Sequence, residues 1–250
     1  MKIVSWNCNG ALRKKVKQLE QLDADIYIVQ ECEDPKRSTI KFSDWAGNYL
    51  WNGDSKNKGI GVFAKKNNKI RKLNWDDSFS LNDLNTKSPA TKWKTADLKL
   101  FLPFNLNGKY SVLAAWTKGS RDHTFGYIGQ LWKYLKIHRK DLDNNHSMII
   151  GDLNSNSIWD RKDRWWNHTD VVQELSELGL VSLYHKKNGE IQGSESQPTF
   201  YLHRKKEKAY HIDYIFMNNE KVNNAKLKIG NPSKWLEFSD HMPLIIELDE

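Results

Sequence analysis

A carboxylate and a carboxamide stand two residues apart, directly after a short apolar run. Residues 148–150 are Met-Ile-Ile, which predicts a buried strand that Gly151 ends, and Asp152 and Asn154 follow it. Side chains two residues apart on an extended chain point the same way, so this pair could hold a water against a metal-bound phosphate. Gly-Asp and Asn-Ser are also ordinary turn dipeptides, so this stretch alone is open to either interpretation.

Further polar side chains stand at the ends of other predicted strands. Taken alone, each has an ordinary interpretation: asparagine or aspartate as a turn former, glutamate as an exposed strand end, and histidine as a core residue with a hydrogen-bond partner. If the fold brings them together, carboxylates and an imidazole in one pocket could bind a divalent cation. The set comprises Asn7 and Asn9 after the first predicted strand, Glu31 after the second, and Asp240 with His241 before the last.

Asp213 is unusual because it lies inside an apolar segment. Ile212 precedes it and residues 214–216 are Tyr-Ile-Phe, so its carboxylate is predicted to leave the edge of a sheet with little water around it. A carboxylate in such a place needs a partner. A histidine suits this role, because the carboxylate fixes the tautomer of the ring and favours the imidazolium form.

The bulk properties limit the class of protein. The chain has 250 residues, 38% of them hydrophobic, and its 11 Trp, 9 Tyr and 9 Phe provide material for a core. Its net charge of +8 favours a polyanionic partner such as nucleic acid, although a solvated basic surface is the common alternative. The sequence shows no export signal and no membrane span, and Cys8 and Cys32 fit a reducing cytosol as buried structural thiols. We therefore predict a cytoplasmic protein.

Hydrophobic periodicity predicts many strands and few helices. The predicted strands span residues 2–6, 26–29, 59–64, 96–101, 110–116, 148–150, 199–202, 212–217, 225–229 and 244–248, and the predicted helices span 11–22, 126–142 and 171–178. The third helix has Thr169 or Asp170 as its predicted N-cap, and the strands at 96–101 and 110–116 form a predicted hairpin around Pro103 and Asn107-Gly108. Residues 65–72 read as a basic turn and 74–95 as loop-rich. With no repeat and no linker, one domain spanning 1–250 is expected.

Five short motifs in this order resemble the exonuclease–endonuclease–phosphatase superfamily, which includes exonuclease III, AP endonucleases and deoxyribonuclease I. They read Trp-Asn-x-Asn-Gly from residue 6, Gln-Glu from 30, Gly-Asp-Leu-Asn from 151, His-Ile-Asp-Tyr-Ile-Phe from 211 and Ser-Asp-His-x-Pro-Leu from 239. Each motif alone is weak, but the resemblance covers residues 2–248. It implies an α/β fold, a four-layer α/β/β/α sandwich of two packed mixed sheets. It also implies hydrolysis of phosphoesters with Mg²⁺, or with Mn²⁺ as the alternative ion.

The resemblance also implies roles for single residues. Glu31 would ligate the metal ion, supported by Asn7 and Asp240. Asp152 would orient or deprotonate the attacking water, with Asn154 beside it. His241 would contact a phosphoryl oxygen and stabilise the negative charge of the transition state, while Asp213 orients His241. These roles agree with the chemistry, since positive groups meet developing negative charge and one carboxylate stays free to accept a proton.

The chain departs from the family pattern at one strand end. Exonuclease III-like members carry a tyrosine there and deoxyribonuclease-like members place a histidine nearby, whereas this chain has Trp116 followed by Thr-Lys-Gly. Indole cannot act as a general acid. The group that protonates the leaving oxygen is therefore open between Lys118, His123 and a metal-bound water.

The segment from Trp159 to His168 follows the predicted catalytic asparagine, where the family often builds its substrate surface. Basic residues alternate with aromatic ones there, so the cations could neutralise phosphates while Trp165 or Trp166 stacks on a base. Equally, both tryptophans could pack under the loop as a small core. The residues predicted to contact substrate are Asn9, Lys118, Arg161, Arg164, Trp165, Trp166 and His168.

Taken together, the sequence predicts a monomeric, Mg²⁺-dependent phosphodiesterase with DNA as the favoured substrate. The first alternative is the same chemistry on a small or lipid-linked phosphoester, such as an inositol phosphate or a nucleotide. The second is a nucleic-acid-binding module that retains the fold without catalysis. The second alternative predicts eroded site residues, whereas Glu31, Asp152, Asp213, Asp240 and His241 are all present.

Overall fold

The computed structural model of the chain describes residues 1–81, 91–119 and 124–249. Its strands in chain order are β1 (Lys2–Asn7), β2 (Ile26–Cys32), β3 (Asn48–Ser55), β4 (Lys58–Ala64), β5 (Ile70–Lys72), β6 (Ser78–Ser80), β7 (Lys92–Lys94), β8 (Phe101–Leu106), β9 (Tyr110–Trp116), β10 (Ser147–Asp152), β11 (Leu180–Ser182), β12 (Phe200–Tyr201), β13 (Ala209–Tyr210), β14 (Asp213–Asn218), β15 (Ala225–Ile229) and β16 (Leu244–Leu248). Its α-helices are α1 (Val16–Glu20), α2 (Ile40–Ala46), α3 (Ile128–Leu142), α4 (His168–Glu177), α5 (Leu183–Asn188) and α6 (Pro232–Trp235). Within these ranges, no helix is both long and apolar enough to cross a membrane.

Two six-stranded mixed sheets form the centre of the structure. The strand order is β15-β16-β1-β2-β4-β3 in the first sheet and β11-β14-β10-β9-β8-β5 in the second. β1 pairs with β2 in parallel, and β9 pairs with β10 in parallel. The other ladders of the described strands are antiparallel.

Hydrophobic side chains fill the spaces between four layers. The facing sides of the two sheets enclose one core, to which the first sheet contributes Ile3 and the second Ile150. A second core lies on the outer side of the first sheet and includes Phe42 of α2. A third lies on the outer side of the second sheet and includes Leu135 of α3. This arrangement confirms the predicted four-layer sandwich of two mixed sheets.

The pairing of the strands sets where their polar ends lie. Asn7 pairs with Gln30, so Asn7 and Glu31 leave the first sheet at the same edge. In the second sheet Asp152 lies between Trp116 and Asp213. Because β1 packs against β10, the polar ends of the two sheets meet.

The helix predicted for residues 11–22 is wrong in length. The chain forms a 3₁₀ turn at Leu12–Lys14, and only α1 is α-helical. Ala11 has a left-handed backbone, with φ of 52°, and the Glu33 carboxylate accepts hydrogen bonds from the backbone N–H groups of Leu12 and Arg13 at 2.7 and 3.1 Å. The Glu33 carboxylate thus satisfies N–H groups that the first turn of a helix leaves unpaired. The local sequence pattern of residues 11–22 does not reveal this contact.

The strand predicted for residues 96–101 is also wrong. Residues 95–97 form a 3₁₀ turn, and β8 begins at Phe101 and contains Pro103. Proline fits there because β5 has already ended: Lys72 pairs with Phe104, and the Pro103 carbonyl accepts the N–H of Leu73 at 2.9 Å. Pro103 therefore needs no N–H of its own for a ladder. The predicted hairpin with β9 is confirmed, with its turn at residues 107–108.

The remaining differences concern helix starts and polar segments. α4 begins at His168 rather than at residue 171, because the Asp170 carboxylate accepts the N–H of Asn167 at 2.7 Å and makes Asn167 the N-cap. Strands β5, β6 and β7 lie in segments predicted as turn or loop, of which residues 82–90 are outside the described residues. α2, β3, β11, α5 and α6 lie where the sequence predicts no element.

Candidate active site

The Asp152 carboxylate lies at the centre of a polar pocket at the ends of the strands. It is completely buried and accepts the Nδ2–H groups of Asn7 and Asn154, each at 2.9 Å, and the backbone N–H of Asn154 at 2.8 Å. The Asn154 side chain also donates to the Thr117 carbonyl at 3.0 Å. The two asparagines therefore hold the carboxylate in one orientation, from both sheets.

Asn7 connects this carboxylate to Glu31. Its Nδ2 lies 3.4 Å from Glu31 Oε1, and its Oδ1 accepts the backbone N–H of Asn9 at 3.0 Å. Glu31 Oε2 contacts the ammonium of Lys58, the first residue of β4. Lys58 is not among the residues predicted from the sequence, because the alternation of β4 gives no sign that it faces Glu31.

His241 and Asp213 form a buried pair on the other side of the pocket. His241 Nδ1 lies 3.0 and 3.2 Å from the two oxygens of Asp213, and His241 Nε2 lies 4.0 Å from Asp152 Oδ2. The His241 carbonyl accepts the indole N–H of Trp6 at 2.9 Å, which anchors the histidine to β1. The imidazole thus lies between two carboxylates. The apolar sequence around Asp213 predicts a buried partner for its carboxylate, and His241 is that partner.

Burial and charge shift the pKa values in this pocket in a coupled way. Burial raises the pKa of Asp152 to about 7, with a further rise from Asp213, although the charge of His241 opposes this. Burial alone would lower the pKa of His241, but the negative charges of Asp213 and Asp152 raise it to about 9. Near neutral pH the pocket therefore pairs a cationic imidazole with a carboxyl group that can take up or release a proton.

Three residues of the site have a left-handed backbone although none is glycine. The φ angles are 51° at Asn9, 60° at Glu31 and 44° at Asn154. At Glu31 the ladder between β2 and β4 also shifts register, which turns this side chain out of the sheet. Such conformations are unfavourable and concentrate at functional sites.

Asp240 lies beside these groups through Ser239. The Ser239 hydroxyl donates to the Asn7 carbonyl at 2.7 Å, lies 3.5 Å from Asp240 Oδ1 and accepts the backbone N–H of His241 at 3.1 Å. Within the described residues, the Asp240 carboxylate makes no hydrogen bond to Glu31 or Asn7. Ser239 was not predicted as a site residue, although its place in the Ser-Asp-His motif is a usable signal.

A divalent cation could be held at two places in the pocket. Ligand-type atoms of Asp152, Asp213 and His241 lie within 4.8 Å of one another. A protonated imidazole has no lone pair for a metal, however, and Asp213 is engaged with it. Glu31 fits better, because its carboxylate is partly exposed, lies next to the amide of Asn7 and already carries the Lys58 cation. The oxygen donors at Glu31 therefore suit a hard divalent cation.

The predicted substrate residues differ in accessibility. Trp165 is 49% exposed, and its ring meets Trp132 at 5.1 Å, whereas Trp166 packs on Phe125 with ring centroids 4.4 Å apart. Arg164 donates to the Trp159 carbonyl at 2.9 Å and Arg161 is exposed. Trp166 is therefore packed against its neighbours, whereas about half of the Trp165 side chain remains accessible to solvent.

Two further predicted substrate residues are held by neighbours. The Lys118 ammonium lies 4.9 Å from the ring centroid of Trp116, at the mouth of a cleft of about 540 Å³. His168 is only 1% exposed and faces Ser155 and Gln192. A residue in that position does not meet a substrate directly. His123, the other candidate leaving-group acid, lies outside the described residues.

Behind the pocket lies a second polar cluster, the histidine network, formed by the buried His168 and His211 and the partly buried His185, Gln192 and Glu195. Gln192 lies 3.1 Å from His168 and 3.3 Å from His185, and His185 Nε2 lies 3.0 Å from Glu195. His168 lies 3.3 Å from the hydroxyl of Ser155, the residue after Asn154. The sequence alone does not predict this network, because its members come from separate polar segments.

Both cysteines lie in the core beneath the first sheet. Each is fully buried, and burial raises the pKa of Cys8 to about 12 and that of Cys32 well above its usual range. A thiol in this state is a poor nucleophile and a poor metal ligand. This agrees with the structural role expected from the sequence.

Residues 4–241 match the family model described as the endonuclease/exonuclease/phosphatase family. No curated protein matches the chain significantly in sequence.

Solved structures resemble the chain along its whole length at low sequence identity. A 3′ phosphatase, NExo from Neisseria, bound to a product DNA hairpin, shares 16% identity, with a TM-score of 0.68 and 100% of both chains covered. An AP endonuclease from Archaeoglobus fulgidus shares 19% identity, with a TM-score of 0.68 and the same coverage. Truncated TDP2 from Caenorhabditis elegans shares 14% identity, with a TM-score of 0.61 and 100% and 97% of the chains covered.

Proposed function

Because the chain belongs to the endonuclease/exonuclease/phosphatase family, we propose that it hydrolyses phosphodiester bonds of DNA with the help of a divalent cation. The observation that carries this proposal is the gap between His241 Nε2 and Asp152 Oδ2, which is 4.0 Å wide. A proton-accepting carboxyl group and a cationic imidazole face each other across it. The gap therefore suits a phosphoryl oxygen on the histidine side and an attacking water on the aspartate side.

Asp152 acts on the water in this proposal. With a pKa of about 7 it is ionised often enough near neutral pH to accept a proton, yet basic enough to take one. Asn7 and Asn154 hold its two oxygens, so the carboxylate does not have to reorient during the reaction. Its place at the end of β10 makes this position rigid.

His241 acts on the phosphate. Asp213 binds Nδ1 and keeps the ring protonated, so Nε2 donates to a non-bridging oxygen as negative charge develops on it. Phe200 covers the ring, with centroids 4.6 Å apart, and limits its rotation and its access to water. The pair would thereby stabilise the pentacovalent transition state more than the bound substrate.

Glu31, with Asn7 and Asp240 close by, would hold the divalent cation. When bound there, such an ion neutralises phosphate charge and favours ionisation of a water. Asp152, Asn154 and His241 then remain free to act on the substrate itself.

DNA is the favoured substrate for two reasons. The net charge of +8 suits a polyanion, and two solved structures that share this fold are described as a DNA-bound 3′ phosphatase and an AP endonuclease. Arg161, Arg164, Lys118 and Asn9 would contact the backbone, while the accessible ring of Trp165 would stack on a base. We further propose that the chain forms one domain, because both sheets share the central core, and that it acts as a monomer.

Purified protein tests this proposal against a panel of substrates. The panel contains supercoiled plasmid, an abasic duplex, a hairpin with a 3′ phosphate, RNA and an inositol phosphate, each with Mg²⁺, with Mn²⁺ and with EDTA. We expect cleavage of at least one DNA substrate that EDTA and Asp152→Asn abolish. Release of inorganic phosphate from the inositol phosphate alone would instead assign a small-molecule phosphatase. Binding of DNA without any cleavage would assign a non-catalytic module.

A further inference from the structure

A second cavity lies away from the catalytic pocket, on the outer side of the first sheet. It has a volume of about 450 Å³ and opens between α1 and α2. Apolar carbons of Val16, Phe42 and Trp45 line its floor. None of the residues assigned to the catalytic pocket contributes to it, so the proposed reaction does not explain it.

The rim of this cavity carries positive charge without partners. Lys14, Lys17 and Lys41 line it, and within the described residues their ammonium groups make no ion pair and no hydrogen bond. Of the other charged residues in the lining, Arg13 is paired with Glu33 at 2.9 Å, and Glu20, which accepts the indole N–H of Trp45 at 3.0 Å, is the one carboxylate. Three like charges around an apolar floor favour an anionic ligand.

The apolar floor and the basic rim belong to one surface. Phe42 and Trp45 of α2 line the cavity together with Lys41 of the same helix. Apolar surface rimmed by polar groups is typical of an interaction site. The ligand should therefore combine negative charge with an apolar group.

The surroundings of Trp45 distinguish between two polyanions. The Lys65 ammonium lies 4.1 Å from its ring centroid, Phe42 stacks parallel to it at 5.6 Å, and Phe63 lies 5.0 Å away. These neighbours take up the ring faces on which a nucleic-acid base would stack, and single-stranded nucleic acid depends on such stacking. A peptide side chain needs only the apolar floor, and 450 Å³ is ample for one large aliphatic or aromatic group.

We propose that the cavity between α1 and α2 is a docking site for an acidic peptide segment of another protein. One apolar side chain of the segment enters the cavity, and its carboxylates meet Lys14, Lys17 and Lys41. The site recruits a partner on the face opposite the second sheet, while the catalytic pocket stays open at the strand ends.

Fluorescence anisotropy with three labelled octapeptides tests the proposal. The first has acidic residues around one leucine, the second replaces that leucine with serine, and the third has basic residues around the leucine. We expect saturable binding of the first peptide alone, with a dissociation constant on the order of 10 µM. Binding of the serine peptide with equal affinity would overturn the role of the cavity. Failure of the first peptide to saturate by millimolar concentration would overturn the proposal.

Matched lysine variants locate the site. The triple variant K14Q/K17Q/K41Q should weaken binding of the first peptide about tenfold, since each exposed pair contributes modestly. The control K226Q/K228Q/K234Q removes the same charge from β15 and α6 and should leave binding unchanged. Equal losses in both variants would show an effect of net charge only. Competition by a single-stranded oligonucleotide that depends on Lys14, Lys17 and Lys41 would assign the surface to nucleic acid instead.

Discussion

Two buried histidines of this molecule have opposite acid–base properties. His241 in the catalytic pocket and His168 in the histidine network are 5% and 1% exposed. The pKa of His241 is raised to about 9, whereas burial lowers that of His168 to about 4. The difference lies in the partners: His241 faces the carboxylate of Asp213, and His168 faces the uncharged oxygens of Ser155 and Gln192. The charge of the partner, and not the depth, decides the protonation state.

The same contrast separates two carboxyl groups. Burial raises the pKa of Asp152 to about 7, and only neutral amides bind its oxygens directly. Burial would also raise the pKa of Glu195, but hydrogen bonds from His185, Gly193 and Asn156 lower it to about 2. In the network the Glu195 carboxylate thus has several hydrogen-bond donors, which favour its ionised form. In the pocket, by contrast, the Asp152 carboxyl group and the His241 imidazolium can still interact with a substrate. Perturbed pKa values of this kind cluster at functional sites.

The largest expected effect concerns Asp152. Asp152→Asn keeps the size of the side chain but removes the proton acceptor, so we expect activity to fall by about 10³-fold, within the range for a general base. The free energy of unfolding should change little, because removing a buried carboxyl group offsets the loss of one of the two acceptor oxygens that Asn7 and Asn154 use. Steady-state cleavage rates and urea unfolding measure the two quantities.

Glu195→Gln is the matched control for that substitution. It removes charge-assisted hydrogen bonds from the network, so it should lower the free energy of unfolding by about 2 kcal/mol. Activity of the folded fraction should change little. If Glu195→Gln abolished activity while Asp152→Asn did not, the division of roles between the two regions would be wrong.

The second effect concerns the partner of His241. Asp213→Asn removes the carboxylate that holds the imidazolium, so the pKa of His241 should fall from about 9 because burial then dominates. We expect activity near neutral pH to fall by about 10²-fold, since Nε2 then has no positive charge to offer. Titration of the His241 ring protons by NMR in metal-free protein gives the pKa directly. An unchanged pKa would show that Asp213 does not set the protonation state.

The third effect is a loss of stability in acid that originates in the network. The pKa of His168 is about 4 in the folded protein against 6.5 as its ordinary value, so the unfolded chain binds the proton more tightly. Stability is therefore complete above pH 6.5 and falls as the pH decreases from 6.5 towards 4. Between pH 7 and pH 5 this single group should cost about 2 kcal/mol.

Two variants isolate the contribution of His168. In His168→Gln, the fall in the free energy of unfolding between pH 7 and pH 5 should be smaller by that amount. Gln192→Glu places a carboxylate 3.1 Å from Nε2, at the position of the present amide oxygen, and should raise the pKa of His168. In this variant His168 would face a carboxylate, as His241 does in the wild type, and would be protonated at a higher pH. An equal pH dependence in wild type and His168→Gln would refute the assignment.

These residues also show what the sequence can and cannot predict. The β-strands that carry Asn7, Asp152 and Asp213 were predictable, because each contains a short apolar run with β-propensity that a polar residue bounds. The four-layer fold followed from the family resemblance. The predicted helix at 11–22 failed, because the buried carboxylate of Glu33, which comes from another segment, captures the backbone N–H groups at its start.

The charge environment of each group was less predictable than its position. Asp213 signalled a buried partner through its apolar neighbours, yet nothing in the local sequence distinguishes His168 from His241. Both stand beside an acidic or polar residue, and only the folded structure shows which side chain faces each ring. His168 was therefore predicted at the substrate surface, although it lies within the histidine network.

The smallest expected effect concerns the open corner of the pocket, where Lys58 contacts Glu31. The Lys58 side chain is half exposed on β4, so its ammonium can move away from Glu31, unlike the hydrogen-bonded partners of Glu195 in the network. A divalent cation that binds at Glu31 should therefore displace it. Removing the competing ammonium in Lys58→Met should tighten Mn²⁺ binding about fivefold, the contribution of a surface ion pair. Calorimetry gives the dissociation constant without turnover. Lys99→Met, which removes a lysine paired with Asp54 of β3 at 3.1 Å, is the control for net charge and should bind Mn²⁺ like the wild type. Weaker binding in Lys58→Met would mean that the lysine supports the cation instead of competing with it.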